Sequence, residues 1–406
     1  MNAILVLLAL LSLSTLAGRR GGTAAFLSAA ATPLLVAMGV GLSPHGLGFL
    51  LPSMAAALLP ALHVAVAWLA LLVGLRAYPP WTPGFVFNAG WLLLALVLAV
   101  GGALLTGTAV VMLFPTLFPW GPVHAWQLLA VVAVPAALVA GTASRTVMVL
   151  VDAWPADLLR QRVVFLARHD DVVAALALLA VPWLTARGAA APAPGATVLV
   201  TVAAGLGLAA TALILGVSRP GRERAARPVL AALCVVAAGV SVMTGMPEGA
   251  TAYIMGAVLA LGGSGQRLLG DQGGDDLDRP VRLAVLPLAG LLWTPGWAAV
   301  ALGAALAVGR LGGKALLAAL MSRRFGRTLP VAVLLPSAGL SVPLAVSLRL
   351  AMPGGPVADV LFAALVVAVC LTDLSVFAWN FGAWVRRGTT RTITFPGMPR
   401  VEGDNA

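Results

Sequence analysis

The sequence predicts an all-α polytopic membrane protein of about 13 transmembrane helices. Three observations carry this: an apolar composition, apolar runs that recur at membrane length, and arginines that fall in alternate loops. The 406-residue chain is 61% hydrophobic and 10% charged, with a mean hydropathy of +1.01, against roughly 25% charged residues in soluble domains. Stretches of about 20 apolar residues can each cross a hydrocarbon core of about 30 Å as a helix. Lipid leaves exposed backbone polar groups unsatisfied, so spans are helices or closed barrels, and uninterrupted apolar runs exclude alternating barrel strands. No hydrophilic block is large enough to fold separately. Residues 1–384 therefore read as one transmembrane domain and 385–406 as a polar cytoplasmic tail.

Cutting the chain at polar, Gly and Pro clusters gives spans at 2–17, 24–42, 52–75, 84–105, 126–150, 163–186, 197–217, 229–246, 249–262, 281–294, 297–321, 330–350 and 356–384. The first is read as a helix and not a secretory signal, because it has no basic n-region and Arg19 and Arg20 follow its apolar part. Loops after odd-numbered spans hold Arg19, Arg20, Arg76, Arg160, Arg162, the four arginines of SRPGRERAARP (218–228), Arg267, Arg279, Arg282, Arg323, Arg324 and Arg327. Those after even-numbered spans hold little beyond Arg187 and the span-end Arg349. By the positive-inside rule the odd loops and the C-terminus are cytoplasmic and the N-terminus is outside. The net charge of +11 is thus a topology signal and not a nucleic-acid footprint. Cys234 and Cys370 sit in apolar runs with no disulfide or metal-ligand pattern.

Two interruptions point to a long internal repeat. AGTASRT (140–146) breaks span five and LLPSAGLSVP (334–343) breaks span twelve. Residues 1–186 and 229–384 then form two six-helix units joined by a connector helix at 197–217. An odd number of helices separates corresponding spans, so the units are inverted. Paired interrupted helices mark the midplane site of a transporter.

The charges at membrane depth lie next to those breaks. Only 15 residues run from Val172 to Ala186, too few for a span of about 20. The sixth helix therefore begins near Val163, and Asp170 and Asp171 lie roughly 12 Å along it. One ionised residue near a helix centre costs about 2.5 to 3.5 kcal/mol. Neighbouring carboxylates in a low-dielectric cavity hinder each other's ionisation, so such a pair exchanges a proton near neutral pH, and hard oxygens equally suit a small alkali cation. Neutralisation by Arg168 or another basic residue is the plainer reading, and it leaves the adjacency of the aspartates unexplained. His169 either titrates or faces a polar interface, and Arg168 snorkels toward the cytoplasm.

Span eleven carries Arg310 and Lys314, the sole lysine, four residues apart and so on one face. Lys314 either snorkels toward Arg323, Arg324 and Arg327 or turns inward. Arg310 is deeper and needs a carboxylate, with the span-six aspartates as first candidates and Asp359 and Asp373 as competitors. In the first break Ser144 and Thr146 offer hydroxyls, and carbonyls freed near Gly141 can coordinate a cation. Both hydroxyls can equally back-bond to their own helix. Arg145, in the same break, repels a cation unless it pairs with an aspartate or points away.

These stretches resemble the cation:proton antiporter superfamily. MGVGLSPHGLGFLLPSMAAALLPALHVAVAWLALLVGLR (38–76) is similar to its early signature at Gly41, Pro44, Gly46 and Gly48, with Arg76 where the family closes on an acid. AGTASRTVMVLV and RHDDVVAALALL resemble its broken helix and paired acids, and TGMPEGATAYIMGAVLA, RLAVLPLAGLLW and span eleven follow in order. The resemblance implies two inverted repeats with crossed broken helices, a homodimer, and a core that moves as an elevator. It maps the main ion and proton carrier to Asp171, with Asp170 in the position typical of electrogenic exchangers. It maps the later basic residue best to Arg310, with Lys314 as the alternative, and the threonine of the first break to Thr146. Arg145 replaces a small or apolar residue, and the proline after the Ser/Thr motif is missing.

The expectation is a secondary active transporter in a cell membrane, of the bacterial inner-membrane type, exchanging Na+ or K+ for protons. Its binding residues are Asp171, Asp170, Thr146 and Ser144, with Arg310, Lys314 and Arg145 compensating charge. Two alternatives remain: a sodium-coupled organic-anion symporter using Arg145, and a non-transporting scaffold or sensor. No HExxH, Gly-x-Ser-x-Gly or Cys/His cluster points to an enzyme. No cofactor, resident metal, nucleic-acid partner or nucleotide-binding domain is expected.

Overall fold

The computed structural model describes residues 24–48, 52–76, 83–118, 125–141, 147, 158–181, 193–217, 219, 221, 223–261, 268, 273–294, 296–326, 329, 334, 341–352 and 355–386. The regular elements among them are all helical. They are α1 (Ala24–Leu42), α2 (Pro52–Leu75), α3 (Pro83–Leu113), α4 (Ala125–Ala140), α5 (Leu158–Ala177), α6 (Pro194–Ile214), α7 (Glu223–Thr244), α8 (Glu248–Leu261), α9 (Gly273–Leu291), α10 (Trp297–Phe325), α11 (Ser341–Ala351) and α12 (Pro356–Arg386). Each lies on a span expected from sequence; the span at 2–17 is outside the described residues. Six stretches, Ala56–Leu75, Gly90–Leu113, Pro194–Ile214, Ala225–Thr244, Trp297–Phe325 and Pro356–Ala378, are long and apolar enough to cross a membrane.

Local chemistry sets the ends that matter for the site. After α7, Gly245 turns left-handed at φ 67°, and the Met246 N–H reaches back to the Ser241 carbonyl at 3.0 Å, a Schellman stop. Pro247 then precedes Glu248, the first residue of α8. α4 ends at Ala140, where the first predicted interruption begins, and α11 starts at Ser341, inside the second.

Three glycine crossings bring helix backbones together. α1 meets α9 at Gly39 and Gly290, and α2 meets α8 at Gly74 and Gly256. In both, a Cβ on either glycine would strike the carbonyl oxygen three residues before its partner glycine: that of Pro287 for Gly39, Val36 for Gly290, Tyr253 for Gly74 and Leu71 for Gly256. The third joins α3 and α10, where Gly309 lies on Gly102, Gly313 on Leu98, and the Thr106 hydroxyl donates to the Ala305 carbonyl at 2.6 Å. Rising positions on α3 thus meet falling positions on α10, so the two run antiparallel. His63 lies beside Glu248 and Leu71 to Leu75 lie beside Tyr253 to Ala257, so α2 and α8 run in the same direction. Without a hydrophobic force between helices in lipid, such small-residue contacts are what hold them together.

Two substitutions three residues apart test this packing. Gly309→Ala, aimed at the Gly102 backbone, is expected to lose at least about 1 to 3 kcal/mol of stability. Gly312→Ala, which would meet nothing within 4 Å, is expected to be neutral or slightly stabilising. Thermal unfolding in detergent, followed by size-exclusion chromatography, compares them; equal behaviour would contradict the close crossing.

Candidate functional site

The site is built where α10 passes α4 and α5. α5 is continuous from Leu158 to Ala177, followed by a short 3-10 turn at Leu178–Ala180. The helix thus starts before the aspartates, as the shortness of the following apolar run requires. Asp170 is 3% exposed. The backbone at Arg168, His169 and Asp171 is helical, and their side chains lie outside the described residues.

On α10, Gly309 and Gly313 take up the contact with α3. Arg310 and Lys314, one residue further on each time, point about 100° around the helix, away from α3. Both are fully buried, at 0% and 1% exposure. The Lys314 ammonium forms an ion pair and hydrogen bond with Asp170 Oδ2. Arg310 Nη2 donates to the Gly141 carbonyl at 2.7 Å. That carbonyl belongs to the residue after α4, where the last turn leaves acceptors without intrahelical donors and the helix dipole is negative.

The sequence reading placed Arg310 first as the partner of the aspartates. In the structure Lys314 pairs with Asp170 and Arg310 reaches the Gly141 carbonyl at the end of α4, while the Asp171 side chain is outside the described residues. The ammonium thus turns inward and does not snorkel to Arg323 and Arg324. Asp359 pairs with Arg349 at 2.7 Å between α12 and α11, away from α10's charges, and Asp373 is buried on α12. Ser144, Arg145 and Thr146 lie outside the described residues.

Sequence reasoning missed a second buried polar cluster. Glu248 is 0% exposed, its Oε2 is 3.4 Å from His63 Nδ1 on α2, and the neighbouring Gly249 N–H donates to Ser347 Oγ of α11 at 3.0 Å. The span was drawn to begin at residue 249, which left the carboxylate in a loop. The available signal was Pro247 followed by an acid, a helix start in which the dipole favours a carboxylate. Among the described residues no group of His, Cys, Asp and Glu could hold a resident metal ion.

These features define a multi-pass helical membrane protein with a buried ion pair beside the end of α4. No family profile and no curated protein sequence matches the chain. Among solved structures, that of the sodium proton antiporter MjNhaP1 from Methanocaldococcus jannaschii superposes on 93% of this chain and 96% of its own, with a TM-score of 0.61 at 15% identity. The chain therefore shares the fold of that antiporter.

Removing one member of a desolvated ion pair costs about 3 to 5 kcal/mol, whereas replacing both by uncharged residues is often near neutral. Lys314→Met is accordingly expected to destabilise the protein by that amount, and Asp170→Asn with Lys314→Met to recover most of it. Unfolding curves of the two single variants and the double variant provide the check, and additive losses would exclude a direct pair.

Proposed function

We propose that the chain is a secondary active transporter that exchanges a monovalent cation, Na+ or K+, for protons. The observation that carries this reading is the buried Asp170–Lys314 pair beside the end of α4, whose free carbonyl Arg310 holds. With no cation bound, the ammonium neutralises Asp170. A cation reaching the carboxylates of Asp170 and Asp171 competes with that ammonium and with any proton on Asp171, so binding of one releases the other. Thr146 and Ser144 supply further oxygens from the break, and Arg145 turns toward a carboxylate or away from the site. The fold shared with a sodium proton antiporter supports the same reading.

The exchanger is built from two inverted repeats, residues 1–186 and 229–384, in a 13-helix bundle. The crossings support this. If α1 and α2 correspond to α8 and α9, the contact of α1 with α9 maps onto that of α8 with α2, and the four glycines meet in one geometry. Short matches accompany them, Met38–Gly39 with Met255–Gly256 and LVGL (72–75) with LAGL (288–291). The antiparallel run of α3 and α10, and the shared direction of α2 and α8, agree with the span count between them. The protein works as a homodimer in the bacterial inner membrane, N-terminus outside and C-terminus cytoplasmic. The unit holding the broken helices moves as an elevator.

In inverted vesicles with a pH-sensitive dye, adding sodium or potassium is expected to release luminal protons. Asp171→Asn is expected to abolish the signal. No cation-dependent signal in wild type between about pH 6 and 9 would end the exchange reading, and an unaffected Asp171→Asn would end the site assignment.

A further inference from the structure

The buried Glu248–His63 pair has no part in the chemistry at Asp170, yet it stands where the outward path from that carboxylate is closed. Leu178 lies about 12 Å beyond Asp170 along α5 and the turn that follows it. Gly249 rests on it: a Cβ on that glycine would come within 3.3 Å of Leu178, Leu344 and Ser347, and its N–H donates to Ser347 Oγ at 3.0 Å. Glu248, the residue before, is 0% exposed, with Oε2 3.4 Å from His63 Nδ1. α2 and α8 thus meet the later ends of α5 and α11 in one closed seam. The charge-derived topology places this seam outward of Asp170, because α2 and α8 enter from outside and α5 and α11 run toward it. With its last turn at the cytoplasmic side, the 14-residue α8 reaches only about 21 Å into a hydrocarbon core of about 30 Å, which keeps Glu248 inside the membrane. We propose that Glu248 and His63 form a second proton-binding site, carried by α2 and α8, whose occupancy keeps the outer seam closed.

Charge balance selects the ligand. Without a proton the pair is one buried negative charge; with one proton, on nitrogen or oxygen, it is neutral. A buried charge with no opposite charge is costly, and two groups this close bind their proton as a unit. While Leu178, Leu344 and Ser347 cover the glutamate, water cannot solvate a bare carboxylate, so the closed seam requires the proton. When they withdraw, water reaches the oxygens and the proton leaves. A hard cation takes several oxygen ligands, whereas the neighbour here is a ring nitrogen, which exchanges protons. The other charges on the elements packed around the pair lie elsewhere. α6 carries no titratable side chain and α2 no other. On α5, Arg160, Arg162, Arg168, His169, Asp170 and Asp171 come about two turns or more before Leu178. Arg349 of α11 is bound to Asp359. The charges of α7 (Glu223, Arg224 and Arg227) and of α9 (Asp275, Asp276, Asp278, Arg279 and Arg282) fall at their cytoplasmic starts, leaving the buried Cys234 on α7. Tyr253 follows on α8 itself, more than a turn from Glu248.

Proton binding at the pair is independent of ion exchange, whereas opening of the seam rests on the proposed elevator movement, so two measurements separate them. The chain has four histidines, and 15N-histidine NMR of the full-length protein in detergent resolves His63, assigned by its loss in His63→Gln. Its signal is expected to respond to pH between about 5 and 9, and Glu248→Gln to displace or remove that response. A response unchanged in Glu248→Gln, or a His63 signal flat with pH in the wild type, would overturn the site. For the seam, spin labels are placed at Met243→Cys and Trp297→Cys, exposed on the outer ends of α7 and α10, with Cys234→Ala and Cys370→Ala, and their separation is read by pulsed electron paramagnetic resonance. Closure needs the proton, so it is complete at low pH and lost as pH rises through the range of the His63 response. A second separation is therefore expected to grow in at high pH, and Glu248→Gln to hold the low-pH separation throughout. A shift that persists in Glu248→Gln and vanishes in Asp171→Asn would belong to the aspartates and overturn the seam role, as would no shift at all. Vesicles that exchange no cation while both readouts behave as expected would end the exchange reading and leave this site standing. Should the labelled protein fail to fold, the histidine signal decides alone.

Discussion

A charge at membrane depth must end on an opposite charge or on the oppositely signed end of a helix dipole, and the arrangement of this bundle follows from that constraint. Each unpaired ion would cost a few kcal/mol on insertion scales. α10 brings in two cations one turn apart. Its path is therefore fixed on one side by the Asp170 carboxylate of α5 and by the Gly141 carbonyl after α4. On its other side, Gly309 and Gly313 let it lie against the α3 backbone. A helix with side chains on both faces would stand too far from one neighbour or the other.

Glu248 obeys the same constraint by another route. It is fully buried at the first residue of α8, where the positive end of the helix dipole and His63 face it. The Gly74–Gly256 crossing, two turns further along α8, sets α2 close enough for His63 to reach it. The Gly249 contact with Ser347 then ties this junction to α11, the helix that begins within the second interruption. The α2–α8 crossing and the start of α11 thus share one polar seam.

The helices were legible because each had to satisfy its own backbone in lipid, a local requirement written into run length and composition. The start of α5 before Asp170 followed from the same arithmetic. The Lys314 contact with Asp170 was not legible, because residues four apart share a face and only the depth and tilt of α10 decide whether Lys314 reaches that carboxylate. Glu248 was lost by treating an acid after proline as loop, although those residues also open helices. The glycine crossings were not legible, because only the structure shows which carbonyl each of Gly39, Gly74, Gly256 and Gly290 faces.

The division of labour between the two cations of α10 has a chemical logic. A guanidinium keeps its charge under all ordinary conditions and offers several donors in a fixed plane, which suits a permanent hold on a helix end. An ammonium is a compact point charge on a flexible stem, which a cation arriving at Asp170 can displace without dismantling a fixed planar array of bonds. Under the proposed exchange the pair opens by that displacement, and the Arg310 hold on the Gly141 carbonyl keeps the end of α4 in place while it does.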